Sequence, residues 1–392
     1  MDNLFADKEL SRRAFLRLSA CASGAAALTQ VPGLTFGAAP GDAAGRISIE
    51  ECLSLAPGAM AERSAVVRAG YEFLLAAAGD IADPGLREMV KGIVLDPAPT
   101  FMAAYQTEAD KEGLRRELVG TGLLKAAVTA EQLLPPLARC DEPSQQFSAA
   151  SGSTYDSHHA YPGGLVVHTA LNVKSSLSLC QGYHDTYGVL LDRDVVLAAQ
   201  LLHDLHKPWV LQWQEDGATL PECQIAGTGA HHILSLAETI YRGLPPEVLI
   251  AQASAHDNAG SPADEARLVG YIKAAAAIAG QDPVAAGLLA ACGGKIAPPR
   301  RIEPFVTYLG DHDWTFSVPA ARWTIGLLEV LAVADYGMGA ADLKNGRFNT
   351  FRNYIFSQAT MIALYQTYVV GGPEGLRAAV HSLVEPAETS AD

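Results

Sequence analysis

The run VVLAAQLLHDLHKP, residues 195–208, places His203 and Asp204 side by side at the end of a segment with almost no other polar group. An ionised carboxylate buried in such surroundings costs several kcal/mol unless something pairs with it. Any fold of this chain therefore has to bring a compensating partner to Asp204. The same combination recurs in apolar helical runs at His168, His231-His232, His256-Asp257 and Asp335, the last in LEVLAVADYGMGA. A lone histidine among apolar residues is a satisfied core residue more often than a ligand. Four such segments in order point instead to a divalent cation, which satisfies neutral imidazoles and carboxylates from several helices at once.

The rest of the chain gives those helices a frame. GGLVVHTALNVKSSLSLCQG, GTGAHHILSLAETIYRG, PPEVLIAQASAHD, SPADEARLVGYIKAAAAIAG and PAARWTIGLLEVLAVADYGMGA carry apolar residues at three- and four-residue spacing and are separated by Gly and Pro. Alternating strand patterns are absent, so the fold class expected is all-α. Residues 45–145 read as a helical N-terminal region, with MAERSAVVRAGYEFLLAAAG taken as one helix. Residues 150–340 read as the metal-binding domain, residues 341–392 as a C-terminal helical tail, and Pro208 as the stop after the HDLHK helix. Within the domain, about 281–318 is richer in Pro, Gly and aromatics and reads as an insertion; its GDHDWTF, with His312 between Asp311 and Asp313, reads as a solvated loop rather than pocket lining.

With 392 residues, 49% of them hydrophobic, the chain can bury a substantial core. A net charge of −15 argues against a long nucleic-acid track, which works by neutralising phosphates with Lys and Arg. Beyond Cys21 there are Cys52, Cys140, Cys180, Cys223 and Cys292, without CxxC spacing, which fits neither a disulfide framework nor a zinc-thiolate site and leaves one or two bridges open. Trp209 and Trp213, four residues apart, read as packing on one helix face. No stretch after the N-terminus has the length of uninterrupted apolar sequence that a membrane span needs.

At the N-terminus, Ser11-Arg12-Arg13-Ala14-Phe15-Leu16-Arg17 before an Ala/Gly-rich stretch resembles a twin-arginine export signal, taken as residues 1–38. The resemblance implies passage through the twin-arginine translocase, a periplasmic or secreted protein without a membrane span in its mature form, and export in the folded state, often with a metal already loaded.

The succession H, HD, H, H, D on consecutive helices is similar to the HD-domain superfamily of metal-dependent phosphohydrolases. HHAYPGGLVVHTALNV (158–173) resembles the opening helix of the branch related to a 3′-to-5′ exoribonuclease and to some relaxase-associated HD domains, and LLHDLHKP resembles that family's HDxGK motif. HHILSLAETI (231–240) and SAHDNAGSPADEA (254–266) are similar to the third and fourth motifs. The resemblance implies an HD-type helical bundle with additional N- and C-terminal helices, holding one or two divalent ions (Mn, Mg, Fe, Zn and Ni not distinguished). Carried over, the ligands would be His168, His203, Asp204, His232 with His231 as competitor, His256 and Asp335; a position near Lys273 competes for the last place.

The resemblance further implies hydrolysis of a small phosphorylated substrate, a phosphate mono- or diester, by metal-activated water in the periplasm. Lys207 would hold a phosphate oxygen, while Asp204 or Asp257 would orient the water. His206, where the family has Gly, would stand beside the substrate, and His158 and His159 would cap the pocket or touch substrate, with a solvent-exposed loop as the alternative. Two further classes stay open: a di-iron oxygenase of HD fold, and a catalytically silent metal-binding protein.

Overall fold

The apolar periodicity is realised as helices in the computed structural model, which describes residues 45–155 and 157–387; the export-signal motif at 1–38 lies outside the described residues. In the N-terminal region these are α1 (Ile49–Ser54), α2 (Pro57–Arg63), α3 (Ala65–Gly79), α4 (Pro84–Leu95), α5 (Glu108–Gly120) and α6 (Ala130–Leu133). The segment expected as one helix splits between α2 and α3 because the Ser64 hydroxyl accepts from Val67 N and caps the second helix.

α7 (Gly164–Tyr187), α8 (Arg193–Leu202) and the single turn α9 (Lys207–Val210) follow. The strands β1 (Gln224–Ile225) and β2 (Thr228–Gly229) pair antiparallel, with Gln224 opposite Gly229. The chain then continues through α10 (Ala230–Tyr241), α11 (Pro246–Ala253), α12 (Pro262–Ile278), α13 (Glu303–Gly310), α14 (Trp314–Tyr336), α15 (Gly346–Ala359) and α16 (Met361–Leu383). The fold is all-α. Pro208 opens α9 rather than ending a helix: α8 stops at Leu202, and the turn through His203 and Asp204 follows.

α8 is central. Asp192 caps it, accepting from Asp194 N and Val195 N, and every residue from Val195 to Leu202 is buried. A helix apolar on all sides has to be surrounded; α3, α4, α7, α11 and α13 pack around this one. Each fully buried Leu or Val on it contributes about 1.5–3 kcal/mol.

The larger core runs from Ala61 through Ile296. A second one joins Ile47, Ile49, Cys52 and Met60 to Tyr161 and to α14, α15 and α16, and α1 packs on α15. Ile47 N donates to Leu383 O and Glu385 N donates to Ile47 O, which fastens the two ends.

The stretch 281–318, expected as an insertion, contains α13, which lies against α7, α8 and α11. Gly310 makes this approach possible: a Cβ there would sit 1.9 Å from Ser176 Oγ on α7 and 2.6 Å from Gln200 Nε2 on α8. The run Glu303–Tyr336 is long and apolar enough, by length and composition, to cross a membrane. Here it is broken at 311–313, and its first helix is part of the helical packing. All five cysteines among the described residues are free thiols.

Candidate metal centre

Five helices supply the side chains gathered around Asp204. His168 stands on the second turn of α7, His203 and Asp204 at the end of α8, His231 on the first turn of α10 and His256 just beyond α11; Asp311 arrives from the end of α13. His168 Nε2 lies 3.1 Å from Asp204 Oδ2 and 3.1 Å from Asp311 Oδ1. His203 Nε2 is 3.2 Å from Asp204 Oδ2 and 3.4 Å from Asp311 Oδ1. On the other side of the same carboxylate, His231 Nε2 is 3.3 Å and His256 Nε2 3.7 Å from Asp204 Oδ1. His256 Nε2 also lies 3.5 Å from Asp311 Oδ2.

These separations fit a metal. Ligand atoms bound at about 2.0–2.2 Å to one ion stand about 3 Å apart when adjacent. His203 Nε2, His231 Nε2 and Asp204 Oδ1 are buried without a hydrogen-bond partner, donor atoms that one or two cations would satisfy, while Asp204 Oδ2 has the Lys207 ammonium beside it. Asp204 presents one oxygen to each half of the cluster: His168, His203 and Asp311 on one side, His231 and His256 on the other. Buried polar atoms converging without partners are costly to a fold unless a ligand uses them.

The surrounding groups fix the imidazoles. His203 Nδ1–H donates to Gln200 O at 2.8 Å, leaving Nε2 to face the cluster. His231 Nδ1–H donates to Glu222 Oε2 at 2.7 Å, and Asn172 Nδ2 donates to Asp311 Oδ1 at 2.7 Å. Such outer partners orient the side chains, and an acceptor on Nδ1–H raises the basicity of the imidazole Nε2.

His168, Asn172 and Ser176 form a polar stripe at four-residue spacing on α7, facing α13, and Gln200 on α8 donates to Ser176 Oγ and Thr307 O. Burial would by itself lower the His203 pKa, but the Asp204 and Asp311 carboxylates carry it up to about 10. Burial would raise those of Asp204 and Asp311; the charge on His203, with Lys207 beside Asp204, holds Asp204 well below the ordinary carboxylate range, and His203 and the His168 hydrogen bond do the same for Asp311. For His256 burial dominates and lowers the pKa well below its ordinary value, with His232 adding to it.

The residues expected from the sequence divide as follows. His168, His203, Asp204 and His256 come together. Of the His231-His232 pair it is His231 that faces Asp204; His232 lies behind His256, ring centroids 4.2 Å apart, with its Nε2 near Gln252 O. One step along a helix turns a side chain by about 100°, so only one of two neighbours can face the centre.

Asp335 is not in the cluster. It sits at the end of α14 on the second core, where Arg377 Nε and His381 Nε2 each approach its Oδ2 to 2.9 Å; those are the partners its position at the end of an apolar helix demands. Asp311 takes its expected place, and Lys273 lines a surface groove with Glu117 and Gln281. Asp257 is committed to Arg267, which approaches both carboxylate oxygens. His206 is buried against Phe101 and Trp209 with Glu238 at 3.8 Å, away from the pocket lining.

Lys207 Nζ lies 2.5 Å from Asp204 Oδ2 and donates to Gly152 O at 2.6 Å. His158 lines the pocket, its ring 4.9 Å from that of His168. His159 lies behind it, fully enclosed, between Tyr161 OH at 3.2 Å and Asp313 Oδ2 at 3.3 Å, so neither is in an exposed loop. This loop is clamped. His159 has φ +53, a Cβ on Gly164 would lie 1.9 Å from His159 O, and Arg352 from α15 donates to Tyr155 O and Ala160 O. Trp209 and Trp213 do not share a helix face, because α9 ends at Val210 and Trp213 bridges to Thr219; Trp209 is buried with its Nε1 donating to Pro135 O.

Fold and donor set together define an all-α protein with a buried, mixed His/Asp centre suited to divalent cations. Over 99 residues the chain is 37% identical to the dihydroneopterin 2′,3′-cyclic phosphate phosphodiesterase of Methanocaldococcus jannaschii, a stretch that is 25% of this chain and 39% of that protein. The chain thus matches well under half the length of this curated relative. No protein-family profile matches the chain, and no solved structure does.

Proposed function

We propose that this protein is a metal-dependent phosphohydrolase of the HD type that cleaves a small phosphate mono- or diester, acting in the periplasm after export by the twin-arginine route. The observation that carries the activity is the convergence of imidazole nitrogens and carboxylate oxygens on both sides of Asp204, among them His203 Nε2, His231 Nε2 and Asp204 Oδ1 without a hydrogen-bond partner, beside a cavity of about 320 Å³. The relative named above acts, by its name, on a cyclic phosphodiester, which makes that bond the first to test.

His168, His203, Asp204 and Asp311 would hold one ion, and Asp204, His231 and His256 a second. Bound there, divalent ions supply Lewis-acid polarisation of the phosphoryl oxygens and a water of lowered pKa. The chain's own groups do the rest. Lys207 brings a fixed positive charge to the cavity wall beside Asp204, where a phosphoryl oxygen can take up its third N–H. His158 stands at the wall within reach of the ester, and Glu222, Gln200 and Asn172 keep the ligands in register. Preorganised charge of this kind costs no rearrangement as the transition state forms.

The test is elemental analysis of the purified protein together with turnover of 2′,3′-cyclic AMP and of phosphomonoesters in Mn²⁺, Mg²⁺ and Fe²⁺. Hydrolysis that disappears together with the metal in His203→Ala is the expected result. A fully metallated protein that hydrolyses no phosphoester sinks the proposal, and oxygen consumption by a di-iron form would put the oxygenase class in its place.

A further inference from the structure

The cavity above the metal centre has a second wall that no phosphate chemistry requires. Together with His168, His231 and His256 it is lined by Trp314 and Val318, on the first two turns of α14. Trp314 is 44% exposed, so its indole is open to a ligand in the cavity. Trp209 is buried, Trp213 donates its Nε1 to Ala149 O, and exposed Trp323 stacks on Tyr365 with ring centroids 4.9 Å apart.

Trp314 is backed from its own side of the cavity. The His312 ring lies 5.6 Å from the indole and 3.9 Å from the Tyr308 ring, and His312 Nδ1–H donates to Tyr308 O. Asp311, three residues earlier, faces the cluster, so the short turn between α13 and α14 places a metal ligand and an indole on adjoining walls of one cavity. At about 320 Å³ that cavity lies within the range of small-molecule sites, with room beyond a phosphoryl group. The hydroxyl-bearing residues Ser153 and Ser157 line it as well and suit the polar edge of a heterocycle.

We propose that Trp314 sets the substrate specificity of this site by stacking on a flat aromatic ring carried by the phosphoester, so that the preferred substrates are ring-bearing esters. The inference rests on the phosphohydrolase reading for the placing of the phosphoryl group, and on Trp314 for the ring.

The experiment compares metal-loaded wild type with Trp314→Ala and Trp314→Phe, using calorimetric titration with adenosine 3′-monophosphate and with inorganic phosphate. Turnover of 2′,3′-cyclic AMP and of the ring-free methyl phosphate is measured in parallel. Stacking of a base on an aromatic side chain predicts binding of the nucleotide weakened about ten- to a hundredfold in Trp314→Ala. Inorganic phosphate should bind unchanged, and Trp314→Phe should recover most of the loss. Equal weakening of both ligands, no weakening of either, or failure of the wild type to bind the nucleotide more tightly than phosphate overturns the inference. Ring-dependent binding without turnover of any ester would leave Trp314 in this role and remove the hydrolase reading instead. Melting temperatures of the variants within a few degrees of wild type show that the change is local.

Discussion

Exchanging Asp311 and Asp335 in turn for Asn separates two versions of the metal centre. Asp311 lies 3.1 Å from His168 Nε2, 3.4 Å from His203 Nε2 and 3.5 Å from His256 Nε2, whereas Asp335 is engaged by Arg377 and His381. A ligand that binds only the folded state adds RT ln(1 + [L]/Kd), about 4 kcal/mol at a thousandfold excess over Kd. Unfolding entropy near 2.1 cal/mol/K per residue gives about 0.8 kcal/mol/K for 392 residues, so saturating metal should raise Tm by about 5 °C. Altering an outer partner of a metal ligand typically costs 10–100-fold in affinity, and loss of a direct carboxylate at least the upper figure. Asp311→Asn at the same metal concentration then retains about 1.4 kcal/mol, a shift of about 2 °C. Asp335→Asn should keep the full shift on a slightly lowered baseline. Calorimetry with and without Mn²⁺ after chelation reads all three proteins. A metal shift preserved in Asp311→Asn and abolished in Asp335→Asn would refute the placement of the centre.

Other consequences are as concrete. Glu222→Ala removes the acceptor of His231 Nδ1–H, so binding of the ion on the His231–His256 side should weaken about 10–100-fold in a metal titration, with the His168–His203 side little changed. Glu238 is buried with Thr100, Phe101 N and Arg242 as partners; burial would raise its pKa, but the His206 imidazole and these partners lower it to about 2 from an ordinary 4.5. Its contribution, about 3 kcal/mol, is present above the unfolded value and lost as pH falls from 4.5 towards 2. The acid-side decline of Tm should therefore be shallower in Glu238→Gln, and an unchanged slope would count against this. Gly164→Ala drives a Cβ into His159 O, so denaturant melts should show a loss of about 1–3 kcal/mol together with weaker metal binding, as the histidine loop is forced out of place.

Much of this centre is legible in the sequence, because a polar residue in or at the end of an apolar run is conspicuous: His203, Asp204 and His256 close such runs, and His168 stands within LVVHTAL on the second turn of α7. Asp335 has the same signature and a different cause. Its compensation comes from Arg377 and His381 on α16, and nothing in an apolar run says whether its charged end meets a metal or an arginine.

Asp311 is hidden for the opposite reason. It stands in GDHDWTF, among turn-forming and aromatic residues, after a helix of eight residues in a stretch rich in Pro and Gly. The clues were the buried polar stripe of His168, Asn172 and Ser176, which needs a partner element, and a Gly immediately before the aspartate. The choice between His231 and His232 depends on the rotation of α10, which Glu222 fixes from the segment just before β1. Glu222 lies outside every apolar run, so helical periodicity gives no sign of it.

The clustered His and Asp side chains are drawn from α7 through α13, and the last of them, Asp311, reaches the others only because Gly310 lets α13 settle against α7 and α8. No fragment that ends before α13 can offer an ion its full coordination. Capture of an ion by the whole set would therefore follow the docking of the helices between His168 and Asp311, and a bound ion would mark completed folding rather than nucleate it.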